Sequence, residues 1–237
     1  MRDESRRLLR VQLGSHLYGT AVEGSDHDWG EVYLETPEEL LGAETVGRRK
    51  QTIQDGQDVR RHGLRHFVSM LLTGNPNVVE WLFAPQPEFG AWGAAGTQTS
   101  HLWCQLPRIL GARACARAHL GFARGAYRRV WKKPWEAPHR KTAAHAYRVL
   151  AQLRELLTTG EIRFPLHGCI RGRVLDIRNG VANRGAFMLI YDQAESALSR
   201  IDKKQCALPY EADRALANTL LIEFYTEYVI WTRSTIS

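Results

Sequence analysis

Two short stretches of the chain hold the residue types that phosphoryl-group chemistry needs: Gly14-Ser15-His16-Leu17-Tyr18-Gly19 and Ser25-Asp26-His27-Asp28-Trp29-Gly30. Residues i and i+2 of an extended segment share a face, so Asp26 and Asp28 are expected to project side by side. Two carboxylates held that close resist joint ionisation unless a cation sits between them. Oxygen ligands of this kind suit Mg²⁺ or Mn²⁺, which use one or two carboxylates together with substrate phosphates. Gly14-Ser15 supplies the complementary part. Glycine lets the backbone approach a phosphate closely, and the serine hydroxyl and the amides opening the next helix can donate to its oxygens. Ser-Asp-x-Asp alone also fits a turn or a cap; the Gly-Ser pair upstream, at the end of an extended run, turns the reading towards catalysis.

These residues need elements to hold them. Leu8 to Leu13 alternates weakly and stops at Gly14-Ser15, as a strand ending in a tight turn does. Asp26 to Leu34 has period-two character and ends at Thr36-Pro37, where a short helix, Pro37 to Leu41, can start with Thr36 as cap. A third extended piece, Gln57 to His62, leads into a helix whose Leu64, Phe67, Val68, Leu71 and Leu72 fall at helical spacing before Gly74-Asn75-Pro76. Asn77 can cap Val78 to Phe83 with Glu80 completing a capping box, and that structural role is preferred here to a Glu80 facing the cleft. Pro85 to Gly96, rich in proline and glycine, reads as a boundary. Beyond it Leu102 to Tyr127, Arg140 to Leu157, Arg184 to Leu198 and Glu211 to Ile230 recur with helical period, and Gly121 and Gly125 allow the first to be two pieces. The plan is α+β: an α+β half over residues 1–90 and an all-α, basic half over residues 97–237.

The pattern Gly14-Ser15, Tyr18-Gly19, Ser25-Asp26-x-Asp28, Asn75-Pro76-Asn77 and Glu80 resembles the nucleotidyltransferases of the DNA polymerase beta-like superfamily, in particular a group of bacterial and phage predicted nucleotidyltransferases. Lys141, His145 and Arg148, the Leu156-Leu157 to Gly160 stop and Leu208-Pro209 are similar to that group too. The resemblance implies a small mixed sheet with flanking helices, followed by a helical bundle. It also implies two-metal chemistry, with Asp26 and Asp28 binding the Mg²⁺ or Mn²⁺ that carries the triphosphate and a third carboxylate on a neighbouring strand helping to bind a second ion. Asp55 and Asp58 are the candidates. Asp58 is chosen because it lies in the extended piece before the helix, whereas Asp55-Gly56 reads as a turn. In that position Asp58 is also suited to act as general base, although a solvated strand-edge aspartate would read the same.

Gly14, Ser15 and Tyr18, with Lys141, His145 and Arg148 on one helix face, are the expected nucleotide-binding residues. The last three suit a clamp on the β and γ phosphates, and equally an exposed basic stripe with a core histidine. The run Tyr127-Arg128-Arg129-Val130-Trp131-Lys132-Lys133-Pro134-Trp135 sets stacking faces beside cations, which fits single-stranded RNA or DNA through Arg128, Arg129, Lys132 and Lys133. Buried tryptophans beside a surface loop would give the same pattern.

Net charge supports an anionic partner. The chain has 237 residues and a formal charge of +7, split into 10 Lys/Arg against 14 Asp/Glu over residues 1–90 and 22 against 11 over residues 91–237. From Pro107 to Arg148 eleven cations face only Glu136, a density that attracts a polyphosphate. No apolar run approaches the roughly 18 residues a membrane span needs. The first ten residues lack the plan of a secretion signal, and the four scattered cysteines form no zinc or disulfide pattern, so a cytoplasmic location is expected.

The expected activity is transfer of an NMP from an NTP, with ATP as the expected nucleotide, to a hydroxyl acceptor at an RNA (tRNA-like) or DNA end. Adenylylation of a protein hydroxyl and a catalytically silent nucleic-acid-binding module are the alternatives. A cationic small-molecule acceptor is disfavoured by like-charge repulsion from the helical half.

Overall fold

The computed structural model describes residues 6–36, 39–40, 50–54, 57–90, 97–199 and 205–236. Strand β1 (Arg7–Leu13) buries Leu9, Val11 and Leu13 on one face and runs directly into α1 (Gly14–Tyr18). Strand β2 (Asp28–Tyr33) pairs antiparallel with β1, with Leu13 opposite Asp28. The strand therefore begins at Asp28, and Asp26 stands in the exposed stretch before it rather than on the ladder. Thr36 does cap as its sequence position suggested: its amide donates to Glu39 Oε2 at 2.9 Å and its Oγ1 accepts from the Glu39 amide at 3.2 Å. Most of the expected helix beyond it lies outside the described residues, as does Asp55.

Strands β3 (Lys50–Gln54) and β4 (Gln57–Gly63) pair antiparallel, and β4 pairs parallel with β2. With the short β5 (Glu88–Phe89) they form a mixed sheet of order β3-β4-β2-β1-β5. Helix α2 (Leu64–Leu72) turns Leu64, Phe67, Val68 and Leu71 onto this sheet. The buried Glu35 carboxylate accepts from the Leu64 and Arg65 amides that open α2 and from Tyr225 Oη. Gly30 is required in β2 because the indole of the fully buried Trp81 packs where a side chain would stand.

The chain then becomes helical. After α3 (Pro76–Val79) and its 3₁₀ continuation Glu80–Phe83 come α4 (Thr97–Gln105), α5 (Ala112–Trp131), α6 (Ala137–Thr159), α7 (Gly168–Asn179), α8 (Arg184–Ser199) and α9 (Arg214–Ile236). Helix α5 is continuous through Gly121 and Gly125, whose missing side chains would point into open space or towards Arg129, so the packing is untouched by them. Helix α6 is the central one, burying thirteen residues from Ala143 to Leu157, and stops at Gly160 in the left-handed conformation that glycine tolerates. A single buried apolar cluster runs from Leu8 on the sheet through α5 and α6 to Phe224 on α9. This is the α+β architecture with a helical continuation that the sequence implied.

Candidate active site

The parallel register of β2 and β4 sets Asp28 directly opposite Asp58, and the antiparallel register of β1 and β2 sets Leu13 opposite Asp28. Gly14-Ser15 thus follows immediately on the residue beside Asp28. Gly14 has φ +67°, and a methyl group there would overlap the Asp28 carboxylate. The turn, Asp26, Asp28 and Asp58 line one cleft of about 720 Å³, together with Tyr18, Arg60, Glu80, Lys141, His145, Arg148 and Arg178. Every residue expected to bind nucleotide or metal reaches this cleft. Arg128, Arg129, Lys132 and Lys133 do not; they line a separate hollow of about 400 Å³ with Tyr127 and Trp131 at the end of α5.

Burial, more than any neighbour, pushes the Asp28 carboxyl above its ordinary range. The Arg60 cation opposes that shift, Asp58 adds to it, Lys141 opposes it and Asp26 adds to it. Among the described residues no three ligating side chains are drawn into a ready-made metal cluster. The donor set is nonetheless the right one for a hard divalent cation, being carboxylate oxygen throughout with a glycine-cleared space beside Asp28.

Behind the carboxylates lies a buried polar network. Arg148 Nη1 donates to Glu80 Oε2 at 2.6 Å and to Gln152 Oε1 at 2.8 Å, and Tyr18 Oη donates to Glu80 at 2.9 Å. The Arg148 guanidinium also stacks 3.9 Å over the Tyr18 ring. Only 5% of the Arg148 side chain is exposed, so its charge is committed to Glu80 and not held free for a bidentate phosphate contact. Glu80 correspondingly does not complete a capping box. Asn75 is the cap, accepting from the Asn77 amide at 3.0 Å with Pro76 following, because proline fixes the first helical φ and needs no amide partner.

Helix α7, which the sequence pattern did not reveal, and Leu166 just before it fasten the far end of α1. Arg171 Nε donates to Gly19 O at 2.6 Å, Arg178 Nη1 to Thr20 O at 3.2 Å, and the Leu166 amide to Tyr18 O at 3.2 Å. Arg60 was also not singled out. It stands two residues after Asp58 on β4, so the rule that pairs i with i+2 on a strand would have found it. Its Nε is buried with no hydrogen-bond partner among the described residues, beside the carboxylates.

Of the basic aromatic run, Tyr127 stacks on Tyr191 at 4.4 Å and Trp135 packs on Phe187 while donating to Ala182 O. Trp131 remains 43% exposed between the cations. Arg113 and Arg124 pair with Glu211 and Glu195, whereas Arg128, Arg129, Lys132 and Lys133 have no ion pair among the described residues.

Comparison with known families was decisive for the reaction type. The RNA repair pathway DNA polymerase beta family matches residues 2–171, which takes in the sheet, most of the cleft's lining and helices α5 and α6. The chain belongs to that family. It is thereby a nucleotidyltransferase of the DNA polymerase beta-like superfamily, and the family's match ends within α7, the helix that braces the end of α1. No curated protein matches the chain. No helix among the described residues is long and apolar enough to cross a membrane.

Proposed function

We propose that this protein transfers an NMP from an NTP, ATP being the expected one, to a hydroxyl at an RNA or DNA end. The reading is carried by the register that brings Asp28 beside Asp58 at the Gly14-Ser15 turn, inside a cleft large enough for a nucleotide. Asp26 and Asp28 would hold Mg²⁺ or Mn²⁺ with the triphosphate, and Asp58 would contribute to a second ion. When bound, such ions neutralise charge on the phosphates and lower the pKa of an attacking hydroxyl. The protein's own groups then orient and move protons. Ser15 and the backbone at Gly14 donate to phosphate oxygens, Lys141 and Arg60 offset the charge of the triphosphate, and Asp58 accepts the proton of the acceptor hydroxyl as it attacks the α-phosphorus and pyrophosphate leaves.

The division of labour proposed is chemistry on residues 1–90 and the acceptor's backbone on residues 97–237. The cations Arg128, Arg129, Lys132 and Lys133, which have no ion pair among the described residues, with the exposed Trp131 among them, support a single-stranded nucleic-acid acceptor over a protein one. The family's description, an RNA repair pathway, favours RNA. The test supplies α-labelled ATP, GTP, CTP and UTP in turn with Mg²⁺ and RNA or DNA oligonucleotides whose terminal hydroxyl is free or blocked. Label on free-ended RNA alone is expected. Label on protein from a lysate with none on either oligonucleotide would replace the nucleic-acid acceptor with a protein hydroxyl, and binding of RNA with no label on any acceptor would leave a silent binding module.

A further inference from the structure

His145 projects from α6 into the same cleft, and Arg148 lies one turn further along the helix. Arg148 Nη2 and His145 Nε2 are 2.8 Å apart. A guanidinium carries only donors, so the nitrogen facing it must offer a lone pair, which leaves the single ring proton of a neutral imidazole on Nδ1. Arg148 cannot turn away to release this constraint, since its other amino group is held by Glu80 and Gln152 and its plane lies over Tyr18. Phe122 of α5 covers the His145 ring, with ring centroids 4.9 Å apart. Among the described residues Nδ1 has no hydrogen-bond partner on the protein.

Resting on the reading that the NTP binds in this cleft, we propose that His145 is a neutral donor to the nucleotide, locked by Arg148 in the Nδ1–H tautomer and giving that proton to an acceptor atom of the substrate. Glu80, Arg148 and Tyr18 are then positioning residues, holding the imidazole in one tautomer and one plane. The alternative is a protonated His145 pairing with phosphate, and its charged surroundings oppose this. Burial and then Arg148, Arg60 of β4, Arg129 of α5 and Lys141 hold the ring far below its ordinary value of 6.5, at about 2. Glu80, an acid lining the same cleft, is already paired with Arg148. An imidazolium clamp would weaken as pH rises through the neutral range, whereas a fixed neutral donor serves equally throughout it.

The experiment uses the full chain with isotope-labelled histidine, the His145 signal being identified by its loss in His145→Asn. Nitrogen shifts are followed from about pH 5 to about pH 8, without and with Mg²⁺ and a non-hydrolysable ATP analogue. The expected result is a neutral Nδ1–H pattern at every pH, with the Nδ1 resonance moving when the analogue binds. An Nε2–H pattern, or titration near the ordinary histidine value, overturns the proposal. Affinity for the analogue gives a second readout. His145→Asn keeps a donor where Nδ1 stood and should bind within about 2-fold of wild type. His145→Gln keeps an acceptor for Arg148 but removes that donor, and should bind roughly 3- to 10-fold more weakly, the size of one neutral hydrogen bond. Equal, undiminished binding by both variants, with wild type binding normally, overturns the role of His145 and leaves the proposed function standing. Failure of the wild type to bind any nucleotide overturns both.

Discussion

At the scale of single residues, two carboxylates on neighbouring strands and a third just before one of them are given different surroundings. Asp26 is exposed, Asp28 is half-buried with its charge disfavoured, and Asp58 faces Asp28 across a parallel ladder with Arg60 on its own strand. In the proposed mechanism the proton-transfer role falls on Asp58. Asp58→Asn should lower kcat by about 10²- to 10⁴-fold, the usual contribution of a positioned general base, with a much smaller change in nucleotide KM. Steady-state transfer kinetics check this; equal kcat in the variant would move the role elsewhere. The Asp26-x-Asp28 spacing and the Gly-Ser pair pointed to the cleft that both line, but the shared strand face expected of them does not form, because β2 begins only at Asp28. Asp58 was legible only as a choice between two residues, since which one faces Asp28 depends on a register between β2 and β4 that no local pattern encodes. Arg60, by contrast, follows from Asp58 by the two-residue repeat of a strand, a local signal that went unused. Glu80 was misread because Asn-x-x-Glu is a good local capping pattern, while the interaction that wins is a tertiary one with Arg148, 68 residues away.

Among elements, that Glu80–Arg148 pair joins the 3₁₀ turn after α3 to the central helix α6, and both side chains are almost completely buried. Removing one partner leaves a charge stranded in the interior, so Glu80→Gln alone should cost about 3–5 kcal/mol of folding stability. Glu80→Gln combined with Arg148→Met should cost clearly less than the two single changes added together, as measured by urea unfolding. Strict additivity would mean that the pair is not coupled. Helix α5 carries a second buried polar group, His119, whose Nδ1 donates to Cys115 O at 2.8 Å. Burial lowers its pKa from 6.5 to about 4. Because the folded value lies below the unfolded one, the unfolded chain takes up the proton first. The stability His119 contributes is therefore complete above about 6.5 and is lost as pH falls towards about 4. At about pH 5 the loss from this one group is on the order of 2 kcal/mol, before most carboxylates begin to protonate. Urea midpoints at about pH 7.5 and pH 5 check it, and equal midpoints would contradict a buried neutral His119. Helix α7 escaped sequence reading for a related reason. Only Val174 and Ile177 of its twelve residues are buried, so it has almost no apolar stripe, and its function is to reach Gly19 and Thr20 with arginines.

For the molecule as a whole, the charge asymmetry along the chain brings carboxylates of the first half and cations of the second into one cleft. Some cations of the basic helices are spent on Glu80, Glu195 and Glu211, and others, around Trp131, have no ion pair among the described residues. Sequence counting exposed the excess but not which cations were free, because pairing is decided by helix packing. If Arg128, Arg129, Lys132 and Lys133 meet phosphates, replacing all four with Gln should reduce the slope of log affinity against log salt by about 3 for single-stranded RNA. Trp131→Ala should weaken binding with the slope unchanged, since stacking releases no counterions. An unaltered slope in the fourfold variant would take the acceptor away from that face. The tie between halves is also covalently remote: α7 grips the end of α1 across 152 residues of sequence, through Arg171 and Gly19.

The central claim, that the cleft between the Gly14-Ser15 turn and β4 performs nucleotidyl transfer, is tested most directly by incorporation of label from α-labelled NTPs. Wild type and Asp26→Ala/Asp28→Ala are compared, with Mg²⁺ and bulk cellular RNA, after both are shown to unfold at similar urea concentrations. Label entering RNA with the wild type and falling to background with the variant is the expected result. Equal incorporation by the two proteins would contradict the assignment of the chemistry to these carboxylates.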